Sequence, residues 1–203
     1  MPCTDHSEKP NVSLPHEECR LSRRIVLKSA LAAGLSLPFV SVSANAAEDP
    51  RKARPQVGDH FVFSAGDRKG QSVTVKDLPL GGPPLTVYAM DPATRTIRDG
   101  SRLNRVLLLR LAPEELSEQT RTVAAEGIVG YSAVCTHTGC DISEWKDAHL
   151  ICPCHASTFD PKNRARVISG PAPGPLAALP LRLVDGVVTV AGPFSGRVGA
   201  KQK

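Results

Sequence analysis

Four cysteines and two histidines carry the chemistry of this sequence, in two short groups: Cys135-Thr136-His137-Thr138-Gly139-Cys140 and Cys152-Pro153-Cys154-His155. Each group offers a Cys–His pair and one further cysteine. Thiolates and imidazoles are soft to borderline ligands, so four of them brought together from two loops make a metal site. Three uses of these side chains compete on residue type. Zinc takes a tetrahedral Cys₂His₂ or Cys₄ set. A plain [2Fe–2S] cluster takes four cysteines and would leave both histidines idle. A mixed [2Fe–2S] centre takes two cysteines on one iron and two histidines on the other. His60 and His149 have no such partners and read as surface or structural residues. No Ser–His–Asp arrangement, paired-carboxylate motif or Gly-rich phosphate loop accompanies the two groups.

The pattern C-x-H, then 14 intervening residues, then C-x-x-H resembles that of Rieske iron–sulfur proteins. The resemblance runs from about Val134 to Pro175, and more loosely to Gly192. It includes C-T-H-x-G-C, C-P-C-H-x-S and the loop Gly170-Pro171-Ala172-Pro173. It implies that Cys135, His137, Cys152 and His155 hold one Rieske-type [2Fe–2S] cluster per subunit. It further implies that Cys140 and Cys154 form the disulfide found in the Rieske proteins of quinol-oxidising complexes, and that the proline loop covers the cluster. Ser157 matches the family serine whose hydroxyl points at a bridging sulfide. Phe159 departs from the family, because high-potential members have Tyr there to donate a hydrogen bond to a cysteine sulfur. Thr138 stands where that group commonly has Leu. Trp145, between the two loops, reads as a shield or a core residue. A Phe at the tyrosine position is similar to the small Rieske subunit of arsenite oxidase, a periplasmic molybdenum enzyme. The function implied is one-electron transfer as the iron–sulfur subunit of a respiratory quinol:cytochrome c oxidoreductase-like complex. The alternatives are the small electron-transfer subunit of a periplasmic molybdenum oxidase, or a free periplasmic carrier. The expected partner is a redox protein, a cytochrome or a molybdenum subunit, with a quinol as candidate reductant. The chain reads as an electron-transfer subunit rather than a catalyst by itself.

These groups need elements to position them. With 18 Pro, 16 Gly and 4% aromatic residues among 203, the composition predicts short strands and many turns. Apolar or alternating runs predict strands over 60–64, 72–75, 85–90, 105–111, 128–133, 149–151, 166–169, 181–184 and 187–190. Asp185-Gly186 predicts a tight hairpin between the last two. One short helix is expected over Pro113–Ala125, with Pro in its first turn and Gly127 after its end. The class read from these runs is all-β, built of short antiparallel strands; the resemblance implies the Rieske fold over about 58–195, an antiparallel β base domain with a small inserted cluster-binding subdomain over about 134–175. Residues 48–57 read as a linker and 196–203 as a flexible tail. Arg102, Arg105 and Arg110 read as a solvated face rather than a docking surface.

The N-terminal 47 residues read as a targeting segment. Ser22-Arg23-Arg24-Ile25-Val26-Leu27-Lys28 resembles the twin-arginine export signal, and an uncharged stretch follows it to Ala44-Asn45-Ala46, a small-x-small cleavage site. Cleavage after Ala46 is the favoured expectation and retention as an anchor the rival, because the stretch is marginal for a span of about 20 apolar residues. Export through that route predicts a periplasmic protein, either soluble or anchored to the periplasmic side of the inner membrane. Membrane contact is expected only if this segment is retained. Twin-arginine export moves folded proteins, which suits a chain loaded with a cluster in the cytoplasm, and an oxidising compartment lets a disulfide persist. A net charge of +5 without basic runs interleaved with aromatics excludes a nucleic-acid role.

Overall fold

The computed structural model describes residues 48–201. Residues 1–47, where the export signal is expected and where Cys3 and Cys19 stand, lie outside the described residues. Two antiparallel sheets account for the strands. The larger has seven, β1 (His60–Phe63), β2 (Leu85–Met90), β3 (Val106–Arg110), β4 (Ile128–Ser132), β9 (Ala178–Leu179), β10 (Leu181–Val184) and β11 (Val187–Val190), in the order β10-β11-β1-β2-β3-β4-β9. The smaller has four, β5 (Glu144–Lys146), β6 (His149–Cys152), β7 (Ser157–Asp160) and β8 (Arg166–Ser169), in sequence order. The smaller sheet falls wholly between β4 and β9, so it is an insertion into the larger one.

The central strands explain how the insertion is held. Val106, Leu107, Leu108 and Leu109 are all buried, where a sheet with one wet face would alternate. Period two sends Val106 and Leu108 into a core with Phe61, Val87, Ile128 and Val188. Leu107 and Leu109 face the other way, into a core with Tyr131, Leu150, Phe159, Cys135 and Cys152. The base sheet is thus sandwiched, and the inserted sheet covers its second face. Each buried leucine contributes roughly 1.5–3 kcal/mol.

Several sequence expectations need correction. The helix expected over Pro113–Ala125 is a 3₁₀ turn at Pro113–Glu115 followed by a single turn, α1 (Glu118–Arg121). The break lies at Leu116, which takes an extended ψ of 137° and is buried. Ser117 then caps the second turn by accepting from the Thr120 N–H at 3.2 Å. Burial of Leu116 and this side-chain cap outweigh helical propensity. The strand expected over 72–75 is reduced to one bridge, Ser72 with Val62. Its C-terminal part turns into a 3₁₀ helix at Val75–Asp77, closed by a Thr74–Asp77 capping box. β5, β7 and β9 were not expected.

Residues 48–57, expected as a linker, are tied to the base. Arg51 pairs with Asp99 at 2.8 Å, Arg54 donates to the Leu103 carbonyl at 2.8 Å, and Asn104 donates to the Ala53 carbonyl at 2.7 Å. The segment after residue 195 also lies against the base, and Gly199 is buried beside Val134 and Leu103.

Candidate metal centre

The first loop leaves β4 and folds back on itself. The Cys135 N–H donates to the Cys140 carbonyl at 2.8 Å, and the Gly139 N–H to the Cys135 carbonyl at 3.1 Å. Gly139 makes this closure at φ +82°, a conformation that favours glycine. The result turns Cys135 inward and leaves His137 half-buried and Thr138 exposed. The second loop is the hairpin connection between β6 and β7. Cys152 ends β6 and pairs with Ser157, so residues 153–156 form the bend. Strand alternation buries Leu150 and Cys152 together, while His155 stands exposed in the bend. A disulfide between Cys140 and Cys154 ties the two loops.

This geometry sorts the competing uses of the six side chains. The sulfurs of Cys140, Cys152 and Cys154 lie within 4.8 Å of one another, but two of them are consumed by the disulfide. An all-cysteine site would have to break it. What remains is two buried free thiols, Cys135 and Cys152, and two imidazoles whose ring centroids are 4.7 Å apart at 87°. Burial pushes the Cys135 thiol up, against the His137 N–H and the Ser157 hydroxyl, which pull it down. Nδ1 of His137 is buried with no hydrogen-bond partner among the described residues. A buried polar atom without a partner costs about 1–3 kcal/mol, a cost that ligation removes. The donor set therefore fits a group that takes two sulfurs and two imidazole nitrogens.

The surroundings fix the two loops. Ser157 is fully buried, and its hydroxyl accepts from the Ala172 N–H at 3.1 Å. Gly170 sits at φ +88°, and a Cβ there would lie 2.5 Å from Cα of Ser157. At the other end of that loop the Thr136 hydroxyl donates to the Gly174 carbonyl at 2.7 Å. The proline loop is thus pinned to both metal-site loops. Phe159 is fully buried in the same core as the thiols. Trp145 is half-buried, packs against the core that holds the two thiols, and covers Gly82, where a Cβ would meet the indole at 2.7 Å. Thr138 brings its hydroxyl within 3.6 Å of Sγ of Cys140.

Two arginines do more than the sequence suggests. Arg102 donates to the Gly139 carbonyl at 2.6 Å and pairs with Asp141 at 3.2 Å, and Arg105 pairs with the same carboxylate. They brace the first loop against the base and are not merely a solvated face. Arg110 makes no such contact among the described residues. No short-range signal marks Arg102, Arg105 or Thr136, because their partners lie 36 or more residues away.

Comparison with known proteins finds one matching family model and several relatives. The Rieske [2Fe–2S] domain family matches residues 73–180. A putative respiratory nitrate reductase subunit Rieske from Haloferax mediterranei is 38% identical over 104 residues, 50% of this chain and 47% of that protein. A cytochrome bc1 complex Rieske iron–sulfur subunit from Streptomyces lividans is 42% identical over 98 residues, 46% of this chain and 58% of that protein. The chain thus spans about half the length of these curated relatives. Among solved structures, the soluble domain of Rieske protein II from Sulfolobus acidocaldarius aligns at 24% identity and a TM-score of 0.35, covering 46% of this chain and 66% of that one.

Proposed function

This chain belongs to the Rieske [2Fe–2S] family, and we propose that it passes electrons one at a time through a cluster held by Cys135, Cys152, His137 and His155. The reading rests on the donors that the Cys140–Cys154 disulfide leaves over, two buried free thiols and two imidazoles in edge-to-face contact, one with an orphaned buried nitrogen. When bound, a [2Fe–2S] cluster with two imidazole ligands exchanges one electron at a potential above that of an all-cysteine cluster. The chain's own residues divide the remaining work. Cys135 and Cys152, buried in the second core, exclude water from one side of the site. His155 stands exposed and offers a proton site at the surface, which suits a reductant that gives up a proton together with an electron. The Cys140–Cys154 link, the Thr136 and Ser157 contacts and the Arg102 brace keep the loops from moving during exchange.

The physiological setting we propose is the iron–sulfur subunit of a quinol:cytochrome c oxidoreductase-like complex, exported by the twin-arginine route and working in the periplasm. Relatives named as bc1 complex subunits support it. One observation favours a second reading, the small subunit of a periplasmic molybdenum oxidase. Phe159 is buried in the same core as the thiols and has no hydroxyl to donate.

The test is an EPR-monitored redox titration of the purified protein at two pH values. A reduced [2Fe–2S] signal with low average g is expected, at a potential between about −150 and +300 mV. Full iron loading without that signal would sink the assignment. A potential near the top of the range that falls as pH rises selects the quinol reading, and a middling value selects the second.

A further inference from the structure

Arg197 stands where three surface grooves meet, and no carboxylate lines any of them. One groove runs beside the first metal-site loop and is lined by Thr138, Gly139, Arg54 and Arg102 as well as Arg197. A second is walled by Thr136, the proline loop at Pro173–Pro175, and Lys201. Ser195, Gly196, Arg197 and Lys201 are exposed, and their segment runs between two grooves that both touch the loop bearing His137, one at Thr136 and the other at Thr138 and Gly139. Among the described residues, Asp141 is the carboxylate that pairs with cations here, and it is already shared by Arg102 and Arg105. Arg197 and Lys201 are exposed and meet no carboxylate among the described residues. The contrast with another groove on the same molecule is instructive. There Asp49 and Asp99 accompany Arg51 and Arg95, and Arg51 and Asp99 pair at 2.8 Å.

We propose that this cationic rim is where an acidic face of a protein redox partner docks, and this rests on the electron-transfer reading above. A cleft lined by one sign of charge concentrates oppositely charged molecules and raises their association rate by 10 to 10³. Here the clefts are lined by Thr136, Thr138 and Gly139, the neighbours of His137 in the first metal-site loop, so steering brings a partner to the loop that carries this imidazole. An anionic lipid surface would match the charge but brings no redox group to the imidazoles, and so is the weaker occupant.

The experiment uses the full-length protein with its cluster loaded, and two probes of the same shape. These are a basic cytochrome c and the same cytochrome with its lysines succinylated, which makes it acidic. Stopped-flow exchange with the acidic probe should slow about tenfold as salt rises from roughly 20 to 200 mM, because the Debye length shrinks below the size of the rim. Exchange with the basic probe should stay level or quicken. Arg197→Glu with Lys201→Glu should remove most of the acidic probe's salt dependence while the EPR signal and potential stay unchanged. Arg197→Gln with Lys201→Gln should fall between, which separates charge from misfolding. Equal salt dependence in native and charge-reversed proteins would overturn the proposal. So would sedimentation with phosphatidylglycerol vesicles that the reversal abolishes while exchange rates stay as in the native protein. Loss of the low-g signal in the native protein would remove the premise instead, and the EPR control tells the two failures apart.

Discussion

Phe159 shares a core with the thiols of Cys135 and Cys152 and carries no hydrogen-bond donor. A donor aimed at a sulfur favours the reduced, more negative state of a bound cluster. A hydrogen bond contributes about 1 kcal/mol, and 59 mV corresponds to a tenfold change for one electron. Phe159→Tyr should therefore raise the midpoint potential by about 40 mV. The added oxygen enters a packed core, so a melting temperature a few degrees lower is expected alongside. An EPR-monitored titration decides it, and an unchanged potential would show that this ring does not face the sulfurs. Legibility at this scale follows from chemistry. Cysteine and histidine are few and their spacing within each loop is short, so the two groups stand out as a metal site before any fold is known. Arg102, Arg105 and Thr136 were not legible, because an arginine that braces a distant carbonyl looks like any surface arginine until the fold brings the two together.

Elements hold these residues at turns, and the turns are where substitution should bite. Gly170 needs φ +88°, and a methyl there would lie 2.5 Å from Cα of Ser157, a backbone atom that cannot step aside. Gly170→Ala should cost about 2–3 kcal/mol from strain and collision and should loosen the proline loop. Denaturant unfolding and iron content after gel filtration measure the two effects, and a variant as stable and as loaded as the native protein would refute them. A second element predicts a pH effect. Arg68 first, and then the Thr74 N–H of the capping box at Val75–Asp77, hold the Asp77 carboxyl down to about 2. Its unfolded value is about 3.9. The lower value belongs to the folded state, so the contribution is complete above about pH 5 and is lost as pH falls from about 4 towards 2. Arg68 is 48% exposed, so solvent screening reduces the gain to about 1 kcal/mol. Asp77→Asn should flatten that part of the stability curve in urea titrations between pH 6 and pH 2.5, and an unaltered slope would assign it elsewhere. The strands divide along the same physical line. Runs with clear alternation or β-branched density, such as Leu85–Met90 and Val187–Val190, are readable. β5 was hidden because its hairpin turns at Asp147-Ala148, both at positive φ without a glycine to announce it.

At the largest scale, the described residues form two cores on opposite faces of one sheet, and they depend on the metal site unequally. Phe61, Val87, Leu108 and Val188 close the first core without a single residue of the metal-site loops. The second includes Cys135 and Cys152 themselves, with Leu150 and Phe159 from the inserted sheet and Leu107, Leu109 and Tyr131 from the base. Its ties to the base are specific, among them the Tyr131 hydroxyl donating to the Pro161 carbonyl at 2.7 Å. Whatever binds the folded site stabilises the unit that forms it, and units of a protein can open separately. Removing iron with a chelator under non-reducing conditions leaves the disulfide in place but returns two thiols and the His137 nitrogen to their unpartnered state. Amide exchange should then quicken at least tenfold in β5 to β8, while β1, β2 and β11 keep their protection. Each factor of ten is about 1.4 kcal/mol of opening energy, so an orphaned buried nitrogen alone accounts for one such factor. A single rise spread evenly over both sheets would mean that the insertion and the base open as one unit, and that the shared leucines of β3 transmit the loss across the sheet.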